Sequence, residues 1–154
     1  MAAIMAVAAI AACTGEPGRA RTGAARAVEP PAELRAGDVV LRASAVQASA
    51  LGAAIAARHG VDADPRTVLL VIGPRRVDGT GERDLPARVE AEVVDLLGRR
   101  RTLPLRTLAH GGFTDHVAEL RVSPPETLRF VVRAEHRDGA PMRLAFTRDF
   151  LPPP

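Results

Sequence analysis

This sequence predicts an all-β fold, a two-sheet antiparallel sandwich of about seven strands, and three observations carry the prediction. From Asp38 onward apolar and polar residues alternate with period 2 in short runs, the pattern of strands with one covered face. Turn dipeptides separate the runs, with Gly111-Gly112 and Asp138-Gly139 the strongest hairpin signals. Only Leu51 to His59 carries helical spacing. A barrel closed from the same strands fits the alternation equally well. The chain has 154 residues, 47% apolar and 25% charged, the balance of one ordinary globular domain.

The first strand runs from Asp38 to about Val46. A short helix over 51–59 follows, with Leu51, Ala54, Ile55 and Arg58 along one face, Ser49 as N-cap and Gly60 as stop. It plugs the crossover to the second strand. Thr67 to Ile72 is almost continuously apolar, which suits a central strand covered on both faces. Between Ala87 and Leu96, Val89, Ala91 and Val93 face one way, Glu90 and Glu92 the other. Arg101 to Ala109 and Thr114 to Val122 form a hairpin around His110-Gly111-Gly112-Phe113. In the last two strands Leu128, Phe130 and Val132 alternate with Arg129 and Arg133, and Met142, Leu144 and Phe146 with Arg143 and Thr147. Phe130, Phe146 and Phe150 are then available to fill the space, about 10 Å wide, between two packed sheets. The domain spans 37–150, and 151–154 is a Pro-rich tail.

The amino terminus points to export. Met1 to Ala12 is uninterruptedly apolar, too short for the roughly 20 residues of a membrane span but matched to a signal-peptide core. It closes on Ile10-Ala11-Ala12-Cys13, which resembles a bacterial lipobox, so residues 1–13 are expected to be a signal peptide with Cys13 as the lipid attachment site. Thr14 follows rather than the Asp typical of inner-membrane retention. The positive n-region is missing, so the true start codon is expected upstream. A simple signal peptide cleaved near Ala9-Ile10-Ala11, or an uncleaved cytoplasmic chain, are the alternatives. Residues 14–36 hold Gly15, Pro17, Gly18, Gly23, Pro30 and Pro31 with no apolar period, and read as a flexible tether spanning roughly 25 Å.

Several stretches together resemble one bacterial family, that of the domain of unknown function 4426. They are Gly37-Asp38, the segment 51–61 leading to Arg66 and Leu69-Leu70, Asp95-Leu96-Leu97-Gly98, Val117-Ala118-Glu119-Leu120, 125–130, and Leu144 to Thr147 before Phe150. Their order and spacing hold over Asp38 to Phe150. The resemblance implies an exported protein of Gram-negative bacteria with an immunoglobulin-like fold. It implies no activity, so it supplies no catalytic residues. Asp115-His116 and Arg99-Arg100-Arg101 depart from the family pattern.

Composition and motifs narrow the function. A single Cys excludes a disulfide framework and a Cys-based zinc cluster. All 21 basic residues are Arg, yet the net charge is only +3, which steers partners weakly. Arg75-Arg76 and Arg99-Arg100-Arg101 could touch phosphate, but no Tyr or Trp is present for stacking, so no nucleic acid is expected. Glu90 and Glu92 lie about 7 Å apart on one strand face, a glycosidase-like spacing that a solvated stripe also produces. Gly79-Thr80-Gly81 lacks a third Gly, none of Ser44, Ser49 and Ser123 sits in a nucleophile elbow, and HExxH, CxxC and P-loop motifs are absent. His110, Asp115 and His116 flank one hairpin, and His110 with His116 is the alternative, metal-binding reading; adjacent strand residues face opposite ways, which weighs against it. The expectation is therefore a monomeric, non-catalytic binding or assembly module without cofactor, lipid-anchored at the periplasmic face of an envelope membrane. Its partner is expected to be an envelope protein, met through the Gly73-to-Leu85 loop and the His110-to-Phe113 turn.

Overall fold

A computed structural model describes residues 29–153. The lipobox at Cys13, and the tether as far as Val28, lie outside the described residues. Among the described residues ten strands form, in order β1 (Ala32–Ala36), β2 (Val39–Gln47), β3 (Thr67–Asp78), β4 (Gly81–Asp84), β5 (Arg88–Asp95), β6 (Arg100–Thr102), β7 (Arg106–His110), β8 (Phe113–Arg121), β9 (Glu126–Glu135) and β10 (Met142–Phe150). One sheet has the order β1-β2-β3-β8-β7, with β4 also on β3; the other has the order β10-β9-β5-β6, and every pairing is antiparallel. The two sheets face each other, so the fold is the expected sandwich and not a closed barrel.

Alternation decides what lies between the sheets. Leu41, Ala43 and Ala45 of β2, Val68, Leu70 and Ile72 of β3, and Ala118 and Leu120 of β8 line one wall of the core. Ala91, Val93, Leu128, Phe130, Val132 and Leu144 line the other. Phe130 is fully buried, stacked on Phe146 at 5.2 Å between centroids and edge-on to Phe150 at 6.2 Å. A second cluster of Ala48, Ala56, Val61, Leu69 and Val117 packs on the outer face of the large sheet. Strand β3 is thus covered on both faces, which accounts for its continuous apolar run.

The structure corrects the expected elements at four places. Ala32–Ala36 pairs with β2, so the sheet begins inside the segment read as tether. Arg101 to Ala109 is not one strand. Leu103 is buried in the core, Pro104 follows with no N–H to extend the ladder, and the chain switches sheets between β6 and β7. The Gly73-to-Leu85 loop is a hairpin, because β3 continues to Asp78 and returns as β4. The helix is shorter than 51–59: α1 covers Ala53–Arg58, a 3-10 turn covers Ala48–Ala50, and Gly52, not Ser49, occupies the N-cap. Its inward residue is Ala56, whereas Ile55 is 44% exposed. An Ala-rich helix offers several equivalent faces, and tertiary packing chose among them.

Candidate functional site

The outer face of the large sheet has two halves. Near Leu69 and Val117 it is covered by the crossover segment that carries α1. Toward Arg75 and Phe113 it is open, and the register brings polar residues of six strands together there. Arg42 pairs with Gly73 across β2 and β3, and with Glu33 across β1 and β2. Its Nε donates to Glu33 Oε2 at 2.8 Å and its Nη1 to Glu82 Oε1 at 2.6 Å, which ties β1, β2 and β4. The hydrogen bond from Arg42 holds the Glu33 carboxyl below its ordinary range, and the same bond raises Arg42.

Beside it lies a buried ion pair. The Arg75 side chain is 11% exposed and that of Asp115 is 9% exposed, and Arg75 Nη2 donates to Asp115 Oδ1. Arg75 Nη1 also donates to the backbone oxygens of Pro74 at 2.9 Å and Thr114 at 3.2 Å. The guanidinium sits 4.7 Å from the centre of the Phe113 ring, and Asp84 Oδ1 approaches it to 3.7 Å while accepting from the Thr114 N–H at 2.8 Å. Burial of an ion pair is tolerated only when further hydrogen bonds complete it, as here. Gly73 makes the approach possible: a Cβ there would stand 3.1 Å from both Arg75 Nη2 and Asp115 Oδ1. Because β3 runs on past Ile72, Gly73 lies inside the strand, where a lone glycine marks such a close approach; read as the start of a loop, it gave no sign of the pair. Pro31, Ser44, Val71, Gly73 and Phe113 help line a shallow depression of about 320 Å³ over these groups.

The hairpin turn forms as the glycines demand, with Gly111 at φ 55° and Gly112 at φ 81° joining His110 to Phe113. His110 Nδ1 lies 3.5 Å from Asp115 Oδ2 on the open face. His116 pairs with Thr107 and so faces the opposite side of the sheet, half-buried, where desolvation lowers its pKa against the partly offsetting attraction of Asp115 and Asp84. The structure therefore brings His110 and Asp115 together but separates His116 from both. Among the described residues, no group of three His, Cys, Asp or Glu side chains is placed to hold a metal ion.

The other candidates are engaged elsewhere. Arg76 Nη1 donates to Asp38 at 2.6 Å, while Arg75 is committed to Asp115. Glu90 accepts from Arg88 at 2.8 Å, and Glu92 lies 3.4 Å from Arg133 and 3.7 Å from Arg100, so the two carboxylates are rungs of ion-pair ladders and not a cooperating pair. Gly79-Thr80-Gly81 is the β3–β4 turn, closed by the Asp78 side chain accepting from the Thr80 N–H at 2.9 Å. Chemically the open face presents fixed donors and paired charges. A guanidinium stays charged near neutral pH, so Arg42 and Arg75 are permanent donors on this face.

Comparison with known proteins fits this architecture. The family model for the domain of unknown function DUF4426 matches residues 33–152. The chain belongs to the DUF4426 family. A crystal structure of a DUF4426 family protein from Pseudomonas aeruginosa superposes with a TM-score of 0.64 at 21% identity, covering 80% of this chain and 97% of that one. FetP of uropathogenic Escherichia coli strain F11, produced in the periplasm, gives 0.57 at 14% identity over 79% and 95% of the two chains. A copper-bound glutamate-to-glutamine variant of FetP gives 0.54 at 12% identity over 78% and 95%. At these identities the solved structures establish the DUF4426 sandwich as a shared fold. No protein of curated function matches the chain. No helix among the described residues is long and apolar enough to cross a membrane.

Proposed function

We propose that this DUF4426 protein is a non-catalytic binding or assembly module of the cell envelope, held at the periplasmic face by lipid on Cys13, with an envelope protein as partner. The observation that carries the binding reading is the open half of the outer face. Its charged groups are held in place by one another and, with Pro31, Ser44, Val71 and Phe113, line a shallow depression. Preorganised donors lower the entropic cost of recognition without supplying a reactive group. Anchoring is supported by Ile10-Ala11-Ala12-Cys13 closing the apolar run. The tether to Ala32 would raise the effective concentration of the module at the membrane.

The test has two arms. Cell fractionation of wild type and Cys13→Ser should leave the first with membranes and release the second; equal distribution of the two defeats the anchor. A photo-crosslinker at Ser44 should trap one envelope protein in intact cells, while the same probe at exposed Arg129 on the other sheet should not. Copper in a FetP variant of the same fold favours a second reading, a metal accessory role. In this chain it would rest on His110 with Asp115, since His116 faces away.

A further inference from the structure

We propose that the β5–β6 turn is a membrane-contacting tip: Leu96 and Leu97 insert into the headgroup region of an anionic bilayer, and Arg99, Arg100 and Arg101 receive its phosphates. Leu96 is 80% exposed and Leu97 79%, the two most exposed of the large apolar side chains among the described residues. Exposed leucines usually fold back if the chain permits, and this chain does not. Asp95 Oδ1 accepts from the N–H groups of Leu97 at 2.9 Å and Arg99 at 3.0 Å, and its Oδ2 accepts from Arg99 Nε at 2.6 Å. The Gly98 N–H closes on Asp95 O at 3.0 Å, with Gly98 at φ 80°. The turn is a braced prong.

Its surroundings specify the occupant. Leu151, 43% exposed, and Pro125 share a depression with the two leucines, with Asp95, Glu126 and Asp149 on its wall. Beside them Arg99, Arg100, Arg101 and Arg121 line a second depression; Asp95 holds Arg99 and Asp64 holds Arg121, Glu92 lies 3.7 Å from Arg100, and Arg100 and Arg101 are exposed. An apolar prong beside the exposed Arg100 and Arg101 matches an anionic lipid surface.

The path of the chain points the same way. Asp95 and Arg148 both pair with Leu128, so they lie in one row across the small sheet, two strand spacings or about 10 Å apart. Arg148 Nη2 donates to Pro30 O at 2.8 Å, and its Nε lies 2.8 Å from Glu29. The segment preceding Glu29, which carries Cys13, therefore joins the fold at the end that bears the prong. An acyl chain on Cys13 would hold this end toward the bilayer. The inference uses the envelope location proposed above, but the contact itself needs no lipid on Cys13.

The absence of Trp and Tyr makes the test direct. Leu97→Trp creates a lone fluorophore in the full-length chain, and Ala140→Trp, in the exposed β9–β10 loop at the opposite end, is the control. Both are mixed with vesicles of phosphatidylcholine containing phosphatidylglycerol. The expected result is a blue shift for Leu97→Trp, quenching by brominated acyl chains, and no change for Ala140→Trp. Leu96→Ser with Leu97→Ser should weaken vesicle partitioning of the full chain about a hundredfold, and Arg100→Gln with Arg101→Gln about thirtyfold. An unshifted Leu97→Trp spectrum overturns the proposal, as does an equal shift in pure phosphatidylcholine. Repeating the titration in Cys13→Ser separates the two readings. If fractionation shows no anchor while the shift persists, only the anchor fails; if the chain is anchored and the spectrum unshifted, only the tip fails.

Discussion

Asp115→Ala removes one half of the buried pair and leaves the Arg75 guanidinium under the open face without its nearest carboxylate. Breaking a buried ion pair from one side typically costs 3–5 kcal/mol, mainly through the charge left behind. Here Arg75 retains the Pro74 and Thr114 carbonyls, the Phe113 ring, and Asp84 at 3.7 Å. These partners discount the penalty, so the expected loss is about 2–3 kcal/mol. In a domain of this size that lowers Tm by about 8–12 °C. Replacing both members with Arg75→Leu and Asp115→Leu should restore stability to within about 1 kcal/mol of wild type, because no buried charge remains. Urea and thermal unfolding followed by circular dichroism compare wild type, Asp115→Ala and the double variant. Loss of less than about 0.5 kcal/mol in Asp115→Ala, the range of an exposed pair, would refute the claim that this pair is locked in place.

Three further outcomes follow from the packing. Phe130→Ala should cost about 3–5 kcal/mol by emptying the centre of the aromatic stack, whereas exposed Arg129→Ala should stay within about 0.5 kcal/mol in the same urea titration. Gly73→Ala would gain about 0.5–1 kcal/mol in an unobstructed strand. Here its Cβ meets Arg75 and Asp115 at 3.1 Å, so it should destabilise wild type and become neutral or stabilising in the Asp115→Ala background. Burial lowers the pKa of His116, so the unfolded chain takes up its proton first as pH falls. Stability contributed by neutral His116 is therefore full above the ordinary value of 6.5 and declines as pH drops below it toward the lowered folded value, and His116→Gln should flatten that part of the pH–stability profile.

Elements with strict alternation were legible in the sequence because a period of 2 fixes which residues enter the core. Val89 to Val93 and Leu128 to Val132 lie as their pattern requires. Strands that bury little left no such mark. Ala32–Ala36 is an edge strand with Glu33, Arg35 and Ala36 exposed, and it was hidden in a Pro- and Gly-rich context. The sheet switch at Leu103-Pro104-Leu105 was hidden because apolar residues on both sides of the proline continue the alternation. The site was less legible than the fold. His110, Asp115 and Phe113 were visible as neighbours in sequence, but Arg75 reaches them from 40 residues away, across the β3–β8 ladder. The exposure of Leu96 and Leu97 was also hidden, since a Leu-Leu pair at a strand end reads as core until the Asp95 brace is seen.

The two surfaces lie at opposite ends of the sandwich, which bears on how they would work together. Along β8 the chain runs from Phe113 and Asp115 at the open polar face to Arg121 at the arginine-lined end. Along β3 the same distance runs from Arg75 back to Thr67, a rise of about 26 Å. A domain resting on Leu96 and Leu97 would hold the Arg75–Asp115 face that far from the bilayer, clear of the headgroups and turned toward the periplasm. Lipid contact and partner recognition would then draw on separate residues. Leu96→Ser with Leu97→Ser should weaken vesicle partitioning about a hundredfold yet leave crosslinking from Ser44 in anchored protein intact. Loss of both together would mean that the tip and the polar face serve a single interface, and the division of labour between the two ends would fall.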